Sequence, residues 1–337
     1  MALTPAGGEV SAPVAMRRLP EFSASTRLLV VAPHPDDETI ATGLLIQQVR
    51  EAGGAVRILL LTAGDNNPWP QRWLERRLRI GAAERKRWGE RRQAEMLQAL
   101  QRLGLTDSSL QSLGWRDLGL TRRLLQATQA SVATLAAAIN AFSPSLVLAP
   151  ALSDHHPDHG AAHVLVRLAM AGQAEQVPLL TYLVHGDRGG DTAFEVAGSA
   201  GHLASKLAAL DAHGSQMALS GKRMRRMAGR PECYAWPASP LVALPWQPPI
   251  WLRPWLRLGV VSLAGVDCWR WAGAPLARDA ARCWRLLPSV PVNSPPMFAR
   301  LALSLPTPWI FDHWGWCELS RGGVGSKPPL ARVDRAG

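Results

Sequence analysis

Cysteine is scarce: the chain has 4 in 337 residues, Cys233, Cys268, Cys283 and Cys317, and none form a C-x-x-C spacing. That argues against a disulfide framework and a thiolate metal site, and favours a reducing, cytoplasmic setting. Long apolar runs are also missing. The most membrane-like window, Trp251 to Trp271, is broken by Arg253, Arg257, Asp267 and Arg270, and its uncharged stretch, Leu258 to Val266, is too short to span a bilayer. Arg17 and Arg18 are followed by no apolar h-region, so no secretory signal is expected.

What remains is globular by composition, at 47% apolar, and basic, at +11 from 37 Lys and Arg against 26 Asp and Glu. Such a charge favours an anionic partner: nucleic acid, a phosphorylated ligand or an anionic membrane surface. Residues 240–337 hold 11 basic and 5 acidic groups, more than half of the excess.

Residues 1–26, rich in Ala, Pro, Ser and Gly without apolar periodicity, are expected to form a mobile arm. Strand-like runs follow at Arg27 to Ala32, Ala55 to Thr62, Leu110 to Trp115, Leu146 to Ala149 and Leu179 to Val184. Helical periodicity separates them at Thr39 to Ala52, Arg92 to Leu103, Ala127 to Phe142, Asp158 to Ala171 and Ser199 to Ala212. Ala63 to Arg91 reads as a lid or a partly helical insertion. The alternation predicts an α/β domain over residues 27–239, a Rossmann-like open, mostly parallel sheet with helices on both faces. Residues 240–337 hold 9 of the 14 tryptophans and little visible alternation. They form a Trp/Pro/Arg-rich tail of unassigned order.

Two polar clusters stand where strands end. Ala32-Pro33-His34-Pro35-Asp36-Asp37-Glu38 follows the first, and Asp154-His155-His156-Pro157-Asp158-His159 follows the fourth. Ligands in open α/β sheets collect at the carboxyl ends of strands, which is where both clusters are expected. One His-x-x-Asp alone is usually a solvated surface pair. Its recurrence at two strand ends favours a divided site.

A catalytic zinc takes three nitrogen or oxygen ligands and keeps one position open. His34 and Asp37, three residues apart on a turn, and His159 from the second loop supply such a set. Asp36, beside the ligand Asp37, can point at the open position as general base. His156, three residues before His159, can face the cavity as oxyanion stabiliser and acid, provided nearby carboxylates keep it partly protonated. Asp158 can orient a ligand histidine. Glu38 fits a supporting position or the helix N-terminus, where its charge is stabilised by the dipole.

These motifs resemble the PIG-L/LmbE family of metal-dependent de-N-acetylases. The resemblance runs from about Arg27 to Glu232. It includes Thr62-Ala63-Gly64-Asp65, Arg92-x-x-Glu95 leading to Leu103-Gly104, Asp117, Lys206 and His213-Gly214-Ser215-Gln216. It implies His34, Asp37 and His159 as ligands of Zn2+, or another divalent ion such as Fe2+, with Asp36 as base and His156 as electrophilic acid. The implied reaction is hydrolysis of the acetamide of an N-acetylglucosamine-type sugar or glycoconjugate. Arg92 and Glu95 are divided between substrate contact and an exposed i, i+3 ion pair, and His213 between helix capping and the pocket. Loops from about Asn66 to Arg91 and from Asp187 to Glu195 are expected to set specificity.

Two other readings stand beside this one. Asp154-His155-His156 matches the Asp-His-His string of certain two-metal phosphoesterases, though no further ligand set accompanies it. A basic binding protein, using Arg72 to Arg92 or the tail, is the third, with weak association to an anionic membrane surface favoured over nucleic acid. The oligomeric state is not legible.

Overall fold

A computed structural model describes residues 21–173, 176–186, 194–287, 295–305 and 313–320. Most of the expected N-terminal arm and of the Asp187 to Glu195 loop lies outside them.

The apolar run Arg27–Ala32 forms β1, followed by α1 (Asp37–Glu51) and β2 (Ala55–Thr62). The expected insertion is mainly helical: α2 (Pro68–Glu75) and then α3 (Ala82–Arg102), which begins ten residues before the Arg92 start read from periodicity. The apolar stripe of α3 covers only its second half. Its first half is Arg-rich and solvated, so periodicity missed it. Then come β3 (Leu110–Trp115), α4 (Leu120–Gln126), α5 (Thr128–Phe142), β4 (Leu146–Pro150), α6 (Pro157–Ala171) and β5 (Leu179–Tyr182). The domain closes with β6 (Phe194–Val196), α7 (Ala200–Ala212), α8 (Gly214–Ala228) and β7 (Glu232–Ala235).

The strands form one sheet in the order β3-β2-β1-β4-β5-β7-β6. The first five are parallel; β7 and β6 add an antiparallel edge. Successive side chains feed opposite faces. Leu28, Val30, Ile58, Leu60 and Leu148 pack under α1, α3 and α7, while Leu29, Val31, Leu59, Leu61 and Val147 pack under α4, α5 and α6. Burial on both faces explains why these strands read as continuous apolar runs. The chain builds outward from β1 through β2 to β3, then crosses back to β4 on the other side of β1. A crevice opens at that switch point, above the carboxyl ends of β1 and β4.

The tail is folded. It forms β8 (Leu256–Ser262), β9 (Gly265–Arg270), a hairpin of β10 (Leu276–Arg278) with β11 (Trp284–Leu286), β12 (Met297–Leu303) and β13 (Trp316–Leu319). Four of these make an antiparallel sheet in the order β13-β12-β8-β9. Alternation is present after all, in short pieces. Leu256, Leu258, Val260, Met297, Ala299, Leu301, Cys317 and Leu319 build a core of the tail's own, whereas Val261, Phe298 and Trp316 face the other way and join the core beneath α5 and α6. Trp316 lies over Gly160 of α6, where a Cβ would come within 2.7 Å of its ring.

A buried polar network fastens β7 to the middle of α1. The Glu232 carboxylate accepts the backbone N–H groups of Leu44 (2.7 Å) and Leu45 (3.0 Å), the Tyr234 hydroxyl donates to the Ala41 carbonyl (3.0 Å), and Lys206 Nζ donates to Glu232 (2.6 Å). Lys206 is fully buried and passes so close to Gly43 that a Cβ there would sit 3.0 Å from its stem. Removing the cation leaves the buried Glu232 carboxylate with hydrogen-bond donors but no counter-charge. Lys206→Met is therefore expected to lose about 3–5 kcal/mol of unfolding free energy in urea titrations, and Lys206→Met/Glu232→Gln to recover part of that loss.

Candidate active site

The loop after β1 is held in an unusual conformation. Asp36 has φ 124°, ψ −26°, a region an L-residue occupies only when its surroundings impose it. Arg92 imposes it: its guanidinium donates to the carbonyls of Pro35 (2.7 Å) and Gly64 (2.9 Å) and lies 3.3 Å from the Asp36 carboxylate. Gly64, at φ 62°, must be glycine, because a Cβ would collide with that guanidinium. The Asp36 backbone N–H donates to Glu38 (3.0 Å) and that of His34 to Asp37 (2.9 Å), which closes the turn.

Asp37 Oδ2, His34 Nδ1 and His159 Nε2 converge from the two loops. Their separations are 3.3 Å for His34 to Asp37, 3.2 Å for His159 to Asp37 and 3.3 Å between the two nitrogens. A tetrahedral ion bound at about 2.0–2.1 Å holds its ligand atoms about 3.3–3.4 Å apart, so this triangle fits one face of such a shell. The far nitrogens are backed by carboxylates, as in metal sites generally. His34 Nε2 lies 3.2 Å from Asp117 and 3.4 Å from Asp158, and His159 Nδ1 lies 3.0 Å from Asp154.

The field at the triangle calls for positive charge. Burial works against charging His159, yet Asp154 and Asp37 raise it to about 10. His34 is likewise raised well above its ordinary value, burial being outweighed by Asp117, Asp158 and Asp37. Burial alone would raise Asp37, but His159 and His34 bring it well below the carboxylate range. Two imidazole nitrogens, each driven to carry a proton, face one another at 3.3 Å. One divalent cation replaces both protons and removes the conflict, so the donor set suits a metal ion.

A cavity of ≈ 230 Å³ opens beside the triangle. Asp36, His156, Asp117 and Arg92 line its floor; Asn66, Asn67, Gln216, Ser220 and Arg223 supply polar walls, and Ile40, Leu118, Val184, Met224 and Met227 apolar ones. Burial is the chief reason the Asp36 carboxyl is raised to about 6, against the opposing pull of Arg92. His156 caps α6, its Nδ1 accepting the Asp158 N–H at 3.3 Å, which leaves the proton on Nε2. Burial first, then the imidazoles of His34, His159 and His185, hold its pKa down to about 2. That direction opposes the partial protonation expected from nearby carboxylates, of which Asp117 raises it.

The remaining expected residues are placed as follows. Asp158 reaches His34 and also accepts the backbone N–H groups of Leu118 (2.7 Å) and Leu120 (3.0 Å) at the start of α4. Glu38 sits in the first turn of α1, bonded to Asp36 and Thr39 and 3.4 Å from His213. His213 makes no side-chain cap and does not line the cavity; it is buried against Glu38 and Thr39. The exposed Arg92–Glu95 pair does not form. Arg92 is buried in the site, and Glu95 turns to Arg91 (3.0 Å) and to the hydroxyl of Ser215 (2.6 Å). His155 is exposed and Asp154 is committed to His159, so Asp-His-His does not assemble as a ligand string.

Sequence reading missed His185, and placed Asp154 in the second cluster without its role behind His159. Asp154 Oδ2 accepts the backbone N–H groups of Val184 (2.9 Å) and His185 (3.0 Å), which brings the His185 ring to 5.1 Å from that of His159. A histidine just beyond the fifth strand-like run was the signal available. With Asp37 and His159 it forms a further group of potential ligands.

The chain is similar to known proteins over part of its length. Residues 29–170 match the family "PIG-L: GlcNAc-PI de-N-acetylase". A 1D-myo-inositol 2-acetamido-2-deoxy-alpha-D-glucopyranoside deacetylase from Mycolicibacterium vanbaalenii is 33% identical over 177 residues, 48% of this chain and 60% of the relative. The enzyme of the same name from Mycolicibacterium gilvum is 34% identical over 174 residues, with the same coverage. The chain thus spans about 60% of the length of these curated relatives. Similar solved structures include the conserved protein TT1542 from Thermus thermophilus (27% identity, TM-score 0.47, 66% of this chain and 99% of that one). The N,N'-diacetylchitobiose deacetylase from Pyrococcus horikoshii is another (18% identity, TM-score 0.49, 62% and 83%). Over residues 29–170, this chain is thus similar to the PIG-L de-N-acetylase family.

Proposed function

We propose that the protein is a metal-dependent N-deacetylase that hydrolyses the acetamide of an N-acetylglucosamine-type sugar or conjugate, releasing acetate and a free amine. The observation that carries this reading is the 3.2–3.3 Å triangle of His34, Asp37 and His159 with the Asp36 carboxylate beside it on the cavity floor. Those three residues would hold the ion, with zinc the first choice for two imidazoles and a carboxylate and ferrous iron the alternative. When bound, such an ion lowers the pKa of water to about 7 and polarises a carbonyl.

The chain's own groups do the rest. Asp36, ionised at neutral pH and steered by Arg92, takes the proton of the attacking water and returns it to the departing nitrogen. Neutral His156 donates Nε2–H to the acetyl oxygen as charge develops there, so its role is electrophilic and the acid is the protonated Asp36. Asp154, Asp117 and Asp158 hold the two ligand imidazoles in register. Amide side chains, a serine hydroxyl and methionines lining the cavity suit the mixed hydroxyl and C–H surface of a sugar ring. The names of the curated relatives point to the same substrate class.

Asp36→Asn is expected to bind one zinc per chain, as wild type does, while acetate release from GlcNAc conjugates falls about 10²–10⁴-fold. Metal analysis and an acetate assay check this, and two ions per chain would favour phosphoester chemistry instead. Asp154→Asn is expected to weaken zinc binding about 10–100-fold in competition with a chromophoric chelator.

A further inference from the structure

Two stretches concentrate the basic charge on one part of the molecule. Residues 68–92 carry nine Lys and Arg against three Asp and Glu, and residues 214–230 carry five against none. Together they equal the whole formal excess of +11, and the rest of the chain, with its basic tail included, sums to zero. They are adjacent in space, since α2 packs on α8. Some of the cations are committed: Arg92 to the site, Arg225 to Asp211, Arg87 to Glu75 and Arg77 to Glu84. Arg76, Arg79, Lys222, Arg223 and Arg226 are exposed, and among the described residues none has an ion pair.

The same surface displays large apolar side chains. Trp69 is 64% exposed, Trp73 67% and Leu78 87%, with Leu74 beside them. A shallow groove runs between Arg72, Trp73, Leu74, Arg76, Arg77 and Leu78. Exposed tryptophan and leucine interleaved with arginine cost solvation unless something covers them. A second copy of this chain is a poor cover, because the two surfaces would repel. Nucleic acid would neutralise the arginines and stack on the tryptophans, but Leu74 and Leu78 offer a base nothing to stack on. An anionic bilayer satisfies all three: lipid headgroups meet the arginines, the interfacial zone takes the indoles, and acyl chains take the leucines.

We propose that α2, the connection to α3 and the basic face of α8 form a docking surface for an anionic phospholipid bilayer. Attachment is peripheral: among the described residues no helix is long and apolar enough to cross a membrane. The surface adjoins the cavity mouth. Asn66 and Asn67 line the cavity and lead directly into Pro68 of α2, while Arg223, Met224 and Met227 line it from α8. Docking therefore turns the mouth toward the lipid, where a sugar carried on a membrane-embedded aglycone would be presented.

Co-sedimentation of the full chain with vesicles tests this without any turnover. Vesicles of phosphatidylcholine containing about 30 mol % phosphatidylglycerol are expected to pellet the protein, and pure phosphatidylcholine vesicles to do so at least about tenfold less well. Raising NaCl from about 0.1 M to about 0.5 M should release it. Trp69→Ser/Trp73→Ser should bind at least about tenfold more weakly. Arg76→Ser/Arg79→Ser should bind about thirty-fold more weakly, the factor for two cations at about 1 kcal/mol each. Both variants change exposed residues outside the cavity, and unchanged thermal unfolding confirms their fold. Asp36→Asn should bind vesicles as wild type does, which separates docking from catalysis. Wild-type protein left in the supernatant at low salt would overturn the proposal. So would either double variant pelleting like wild type, or a gel shift of a single-stranded oligonucleotide without vesicle binding.

Discussion

Carboxylates placed behind imidazoles are the constraint on which the site depends. His34 Nδ1 and His159 Nε2 stand 3.3 Å apart, in a buried position that would by itself keep both rings neutral and let them drift. Asp154 on one side and Asp117 with Asp158 on the other fix them there. These carboxylates are buried, so each must find several donors, and the donors are the backbones of other loops. Asp154 takes the N–H groups of His156, Val184 and His185; Asp158 takes those of Leu118 and Leu120; Asp117 takes that of Asn66. Each carboxylate thus orients a ring and ties down a loop at a different strand end. The site and its surrounding loops are one hydrogen-bonded unit.

The position of that unit follows from chain topology. A parallel sheet that grows outward from β1 in both directions leaves its crevice between β1 and β4, and the loops after those strands are the two that can reach across it. The loop after β1 carries the strain. Asp36 at φ 124° is tolerable because Arg92 takes two carbonyls of the surrounding loops, and because Gly64 leaves room for the guanidinium. The Arg92 cation also lies beside Asp36, so one residue both enforces the backbone geometry and tunes the carboxyl it presents.

Legibility in the sequence tracked the physical origin of each feature. The parallel strands were visible because burial on both faces leaves them uniformly apolar. The two loops of the site were visible because His34, Asp36 and Asp37, like His156 and His159, are close in sequence. What depends on distant partners was not. Arg92 and Glu95 look like a helical ion pair at i, i+3, and only the fold shows Arg92 turning to Pro35 and Gly64 and Glu95 to Ser215. His213 looked like a cap or a wall because nothing local reveals Glu38 as its neighbour. His185 carries no motif and is recruited through its backbone by Asp154.

The tail was the least legible part, and its failure to alternate over long windows has a structural cause. Its strands are short and face two different cores: along β12, Met297, Ala299 and Leu301 point to the tail's own interior while Phe298 points to α5 and α6. The second contact gives the tail a part in the site. His159 stands in the first turn of α6, and the next residue, Gly160, lacks a side chain where the Trp316 indole lies. Further along the helix, Arg167 reaches Glu318 at 2.7 Å, and the His163 ring meets Phe298 edge-on at 6.3 Å. Three successive positions along α6 therefore meet the tail sheet, while the helix also packs on β4, α4 and α5. A helix held in this way cannot rotate, and rotation of α6 is the motion that would carry His159 out of the triangle. The tail thus acts as the outer wall against which His159 is set.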